Sequence, residues 1–188
     1  MTMTPLRIAG YAGSLRQDSY SKIVLDALMS MLPTGTHTET LSIGDFPFYN
    51  QDLETADGPA QVSQARRQVA EADALLMVVP EFNHGIPGVL KNALDWLSRP
   101  AFHSVMAGKP VFFVTLSQGM LGGVRAQYQM RETLASMLCQ LYPLPEVAIT
   151  YAGQKVTEGR LTDEATCQHL NKILQQFLRQ LNAQRGAQ

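Results

Sequence analysis

The sequence predicts an α/β domain whose five strands form one doubly wound parallel sheet, order 2-1-3-4-5, with helices on both faces. Two observations carry that expectation. Leu6 to Gly10 and Ala74 to Val79 are short apolar runs bounded by Gly or Pro, as strands buried on both faces of a parallel sheet require. Between and after them, segments of helical periodicity alternate with further strand-like runs, the pattern of a chain that crosses back over its sheet after each strand.

The elements read in order. The first strand, Leu6 to Gly10, precedes a helix from Ser21 to Leu32, and a second strand, His37 to Ile43, precedes a helix from Pro59 to Glu71. Ala74 to Val79 is followed by a helix from Pro87 to Leu97, and Val111 to Leu116 by one from Val124 to Leu141. Val147 to Tyr151 is the fifth strand and Asp163 to Leu181 the last helix, where Ile173, Leu174, Phe177, Leu178 and Leu181 make a stripe at 3.6-residue spacing. Pro59 and Pro87 suit first-turn positions, where a helix lacks a partner for its N–H in any case. Thr162 is placed to cap the last helix, with Asp163 and Glu164 near its positive end. Trp96 with Val89, Leu90, Ala93, Leu94 and Leu97 reads as a packing face, and Phe112 with Phe113 as buried strand. Lys91 and Asp95, four apart on one helix, are set to pair at its surface for about 0.3 kcal/mol.

Composition sets the limits on function. A chain of 188 residues buries about 70% of its unfolded surface, so residues 1–188 are read as a single domain. Hydrophobic residues at 45% and charged residues at 16% exclude charge-driven disorder. A net charge of −1 supplies no broad field for nucleic acid or anionic lipid. Cys139 and Cys167 lack CxxC or zinc-ligand spacing, so neither a disulfide framework nor a metal is expected, and both read as buried thiols. Met1-Thr2-Met3-Thr4-Pro5 shows no basic region leading into an apolar stretch, and the longest apolar run, Ala74 to Pro80, is too short to span a bilayer. The expectation is a cytoplasmic protein without membrane contact.

Two loops carry the chemistry. After the first strand, Gly13-Ser14-Leu15-Arg16-Gln17-Asp18-Ser19-Tyr20-Ser21 enters a helix N-terminus, where unpaired N–H groups and the helix dipole favour an anion. Ser14, Ser19 and Ser21 add hydroxyls and Arg16 a guanidinium fork, a set suited to one phosphate. The competing reading is that the serines only cap the helix. After the third strand, Pro80-Glu81-Phe82-Asn83-His84-Gly85-Ile86-Pro87-Gly88 opens another helix. Loops at the carboxyl ends of the first and third strands share one crevice at the switch point of such a sheet. A phosphate cradle beside a rigid loop exposing peptide groups suits a mononucleotide with a flat ring, such as a flavin. GxGxxG, GxxxxGK[ST] and GxSxG are all absent, which argues against a dinucleotide fold, an NTPase and an α/β-hydrolase.

At these residues the chain resembles the NADPH-dependent FMN reductase family, flavodoxin-like proteins that include quinone, azo-dye and chromate reductases. Ser14-Leu15-Arg16 with Ser19 matches the family's phosphate loop. Pro80-Glu81-Phe82-Asn83, continuing from Pro87 through Trp96, matches its flavin-edge loop and helix, and Ser117-Gln118-Gly119 with Gly122 to Ala126 is a third likeness. Ser21 stands where an Asn is common, and Phe82 where a Tyr is common. The resemblance implies FMN as cofactor and NADPH or NADH as electron donor, with ping-pong transfer to quinones, azo compounds or oxidised metal anions. It implies that Ser14, Leu15, Arg16, Ser19, Tyr20 and Ser21 hold the phosphate end. Pro80, Glu81, Phe82 and Asn83 line the ring, and Ser117 and Gly119 approach its other end. Glu81 is read as an acceptor of local backbone N–H groups rather than an acid or base, and His84 as an exposed loop residue, so no catalytic side chain is assigned.

Two other functions fit the same residues: a reductase releasing reduced FMN to a partner oxygenase, and a flavodoxin-like electron carrier. The near-neutral charge disfavours a carrier that docks electrostatically. A phosphate-binding module without redox chemistry leaves the second loop without a role. The segment Asp45 to Asp52 holds Phe46, Phe48 and Tyr49, read as displayed to solvent and covered by a second subunit. Arg125 and Tyr128, three apart, are placed to bond across a two-fold axis, and the family resemblance implies a homodimer or homotetramer.

Overall fold

The computed structural model describes residues 4–55 and 58–187. Met1, Thr2 and Met3 of the N-terminal stretch, Ala56 and Asp57 of the long connection after the second strand, and Gln188 lie outside the described residues. Five strands form a parallel sheet in the order β2-β1-β3-β4-β5: β1 (Arg7–Ala12), β2 (His37–Thr40), β3 (Ala74–Pro80), β4 (Val111–Leu116) and β5 (Ala148–Ile149). The crossovers are α1 (Tyr20–Ser30), α2 (Ala60–Glu71), α3 (Gly88–Leu97) and α4 (Val124–Ser136), and α5 (Glu164–Gly186) closes the chain.

The helices divide between the two faces as their apolar stripes dictate. Val24, Leu25 and Leu28 of α1 pack with Leu170, Ile173, Leu174, Phe177, Leu178 and Leu181 of α5 against Ile8, Leu76, Val78, Phe112 and Val114. On the other face α2, α3 and α4 cover Ala9, Tyr11, Leu75, Met77, Val79 and Phe113. Alternate residues of β1, β3 and β4 therefore serve opposite cores. Every residue of β3 and β4 is buried, because these strands lie inside the sheet. Trp96, 1% exposed, anchors the second core, as its spacing predicts.

Several boundaries move for physical reasons. β2 is an edge strand with all four residues exposed, and it ends at Thr40, although Leu41 and Ile43 remain buried. The fifth strand keeps only two residues paired with Thr115 and Leu116. α4 stops at Ser136, five residues short of expectation on comparing its end with Leu141, because Leu138 adopts a left-handed φ of 60° that no helix continues through. Asp163, not Thr162, caps α5: its carboxylate accepts from Thr166 N at 2.9 Å, while Thr162 lies beside Thr157. Pro59 and Pro87 sit one position earlier than expected, at the caps of α2 and α3. A small antiparallel hairpin, β6 (Val156–Thr157) and β7 (Arg160–Leu161), which the sequence pattern does not predict, precedes α5.

Both cysteines are half-buried rather than buried. Cys139 follows the end of α4 and leans on the core, and burial pushes its thiol up to about 12. Cys167 lies in the first turn of α5, 3.7 Å from the Leu161 carbonyl. Lys91 and Asp95 pair at 2.6 Å as expected.

Candidate functional site

The loop after β1 is anchored to β3 at Gly13 and otherwise built by its own residues. Gly13 hydrogen-bonds to the Val78 carbonyl at 2.8 Å, and a Cβ there would lie 2.9 Å from the Pro80 ring, so glycine lets the loop turn close against β3. Ser19 caps α1 by accepting from Lys22 N at 3.2 Å, and its hydroxyl lies 3.2 Å from that of Ser21. Both serines are nearly sealed, at 3% and 1% exposure. The amides of Tyr20 and Ser21 have no acceptor among the described residues, which leaves the positive end of α1 open. Ser14 accepts from Arg16 N at 3.3 Å. The Arg16 guanidinium lies over the Tyr20 ring at 5.4 Å and forms no ion pair among the described residues. Free N–H groups, hydroxyls and an unpaired guanidinium thus occupy one end of a crevice, the donor set of an anion site.

The loop after β3 is a tight two-residue turn. Phe82 and Gly85 exchange two backbone hydrogen bonds of 2.9 Å, and Asn83 and His84 between them have φ of 47° and 66°. Two left-handed central residues are what a type I′ turn demands. Phe82 is 65% exposed and His84 is exposed, as expected. Glu81 accepts backbone N–H groups, but not local ones: its carboxylate, whose side chain is only 12% exposed, bonds to Arg125 N at 3.0 Å and Ala126 N at 3.2 Å. It therefore caps α4, and the Arg125 guanidinium approaches it at 3.8 Å. Further along, Ile86 N donates to the Gln129 side chain at 2.7 Å.

A cavity of about 350 Å³ brings the two loops together, within the size range of small-molecule sites. Ser14, Arg16, Ser19, Tyr20 and Ser21 line it from one side, Pro80, Glu81 and Phe82 from another, and Ser117 from the end of β4. Leu15 and Asn83 line an adjoining cavity of about 430 Å³ that shares Ser14 and Phe82. Gly119 lines neither cavity. Its carbonyl accepts the Ser117 hydroxyl at 3.3 Å and Tyr151 N at 3.1 Å, so it ties the turn instead. Sequence reasoning missed Leu116 and Gln118, which line the first cavity and flank the Ser117 it did single out. It also missed the segment Ala152–Lys155, which approaches so closely that a Cβ on Gly153 would lie 3.0 Å from the Tyr20 hydroxyl.

The segment after β2 corrects the reading that all three aromatics are displayed. Phe46 is 7% exposed, and Tyr49 packs edge-on against Trp96 at 5.1 Å, whereas Phe48 is 89% exposed. Asn92 explains the inward fold: it accepts from Tyr49 N at 2.7 Å and donates to the Pro47 carbonyl at 3.0 Å, which Trp96 also reaches at 2.8 Å. Arg125 faces Glu81 of its own chain, and Tyr128 is 64% exposed. No cluster of metal-ligating side chains and no helix long and apolar enough to cross a membrane occurs among the described residues.

Residues 6–154 match the model of the NADPH-dependent FMN reductase family. An NAD(P)H-dependent FMN reductase of Pseudomonas aeruginosa is 38% identical over 173 residues, covering 90% of this chain and 92% of the relative. A quinone reductase of Escherichia coli is 36% identical over 176 residues, 92% of this chain and 93% of the relative. The solved structure of FerB, a flavoenzyme NAD(P)H:(acceptor) oxidoreductase from Paracoccus denitrificans, superposes with a TM-score of 0.86 at 31% identity, covering 95% of this chain and 98% of that one. With a flavodoxin-like sheet, two loops converging at its switch point and relatives matched over nearly their whole length, the chain belongs to the NADPH-dependent FMN reductase family.

Proposed function

We propose that this chain is an NAD(P)H-dependent, FMN-containing oxidoreductase that reduces quinones, with azo compounds and oxidised metal anions as further acceptors. The observation that carries the reading is the single cavity joining an open helix N-terminus to a rigid, peptide-exposing turn. Bound FMN supplies hydride acceptance from NADPH or NADH and electron delivery to the acceptor. The residues present fit that group. The free amides of Tyr20 and Ser21, the hydroxyls of Ser14, Ser19 and Ser21, and the Arg16 guanidinium hold a phosphate. Pro80, Phe82 and Asn83 line the flat ring, and Ser117 approaches its other end. Leu15 borders the adjoining space, where an acceptor has room. Glu81 is committed to α4, and exposed His84 lies on the turn, so no side chain is assigned as acid or base.

The protein works as one domain, in the cytoplasm, as a homodimer or homotetramer. Phe48, Phe82, Met120 and Tyr128 are each more than half exposed, an apolar area that a second subunit would remove from water. Sedimentation at micromolar concentration should show no dominant species near 20.7 kDa. The function itself is tested by the visible spectrum before and after anaerobic NADPH or NADH. Flavin that bleaches and reoxidises with quinone supports it, and a colourless protein that cannot take up FMN overturns it.

A further inference from the structure

We propose that Gln129, on α4, is a positioning residue of the flavin site: its side chain sets the height of the Phe82–Gly85 turn. The inference rests on the FMN reading above. Gln129 Oε1 accepts the Ile86 N–H at 2.7 Å. The same oxygen would lie 2.6 Å from a Cβ on residue 85, so the amide reaches its bond only because residue 85 is glycine. Glu81, at the other foot of the turn, is fastened to the same helix through Arg125 N and Ala126 N. One helix therefore grips both ends of a four-residue turn.

The grip matters because of what it encloses. Asn83 and His84 hold left-handed backbone conformations, which L residues keep only where their surroundings over-determine them. Their amides have no acceptor among the described residues, and Asn83 and Phe82 border the cavities. Hydrogen bonds at a flavin's polar edge tune its electronics, so the height of this turn governs how strongly oxidised and reduced FMN are each held. Release of the Ile86 end leaves Glu81 as the hydrogen-bonded tie between this turn and α4.

The test compares Gln129→Leu, which removes the acceptor, with Gln129→Glu, which keeps an oxygen at the same reach. In the apo protein, Gln129→Leu should accelerate amide exchange at Ile86 by about tenfold or more, the loss of one hydrogen bond, beyond any change at the amides of β3 and β4. In titrations with FMN, oxidised and dithionite-reduced, it should weaken the oxidised form by about tenfold and alter the ratio of the two affinities by at least about threefold, a shift in midpoint potential. The visible band of the bound flavin should change with it. Gln129→Glu should restore all three. A second arm uses Gly85→Ala: it should be damaging beside Gln129 and add little in a Gln129→Ala background, a coupling that only direct contact produces. Gln129→Leu protein with native Ile86 exchange, affinities and spectrum overturns the proposal, as does failure of Gln129→Glu to differ from Gln129→Leu. Wild-type protein that takes up no FMN overturns the functional reading and this proposal with it.

Discussion

The two loops that meet in the crevice reach their shapes by opposite routes. The one after β1 ties itself: Ser19 to Lys22 N, Ser14 to Arg16 N, Arg16 onto Tyr20. The one after β3 is held by α4, across 43 to 45 residues of sequence, through Glu81 and Ile86. In the proposed reading, anchoring the phosphate would therefore be a local property of a nine-residue stretch, whereas alignment of the ring would depend on a packed helix. The first should be lost without harm to the fold, and the second should not.

The sharpest test of that division is the double replacement of Ser14 and Arg16 by Ala. Charge-assisted hydrogen bonds contribute about 1.5 to 3 kcal/mol each, roughly tenfold to a hundredfold for one, so FMN affinity should fall by about a hundredfold or more in the double variant, with thermal unfolding of the apo protein unaltered. A change of less than about threefold in titration breaks the phosphate assignment. Glu81→Ala is the counterpart on the other loop. It leaves the Arg125 and Ala126 amides without their acceptor, which costs about 1 to 3 kcal/mol for a group left unsatisfied. Denaturant unfolding should therefore register the loss together with a weaker grip on FMN. Weakened FMN binding at full stability would mean that Glu81 acts on the cofactor rather than on α4.

The same contrast explains how much was legible beforehand. Local chemistry is readable: the apolar runs that bury β3 and β4 and the Lys91–Asp95 pair each follow from a few adjacent residues, and the Ser19 cap is the competing reading of its own loop. Long-range partners are not. Nothing near Glu81 announces that its acceptor role is spent on Arg125 and Ala126, and nothing near Gly85 points to Gln129. Asn92 likewise draws Tyr49 and Pro47 inward, so an apolar loop that reads as displayed is mostly folded away. The end of α4 is hidden from the sequence pattern because Leu138 takes the left-handed position usually left to glycine. Residues after it keep an apolar, helix-like pattern.

A smaller effect extends the comparison to another locally encoded cap. The Thr166 hydroxyl and amide, with Lys155, hold the Asp163 carboxyl below its ordinary 3.8. A carboxyl depressed in the folded state stabilises the fold above its ordinary value, and that contribution disappears as pH falls through the lower folded value. Asp163→Ala should therefore melt earlier than wild type near neutrality, and the two midpoints should converge below pH 3.8. Midpoints that stay equally far apart across that range would show that the ionised form contributes nothing.

The smallest effect is expected at His84, where the turn's strain can be removed without touching either anchor. His84 is exposed and sits at φ 66°, a conformation that histidine tolerates better than most residues but that glycine adopts freely. His84→Gly creates Asn-Gly at the centre of the turn, the pair most favoured in type I′ geometry, so Phe82 and Gly85 should keep their mutual hydrogen bonds. The variant deletes the imidazole and nothing else in the site. Since a general acid contributes about a hundredfold or more, turnover with NADPH and a quinone separates the alternatives cleanly. A change of less than about threefold at unchanged flavin content is expected if the ring chemistry needs no side-chain proton donor. A hundredfold loss with FMN still bound would make His84 the acid, and would show that the exposed turn supplies chemistry as well as alignment.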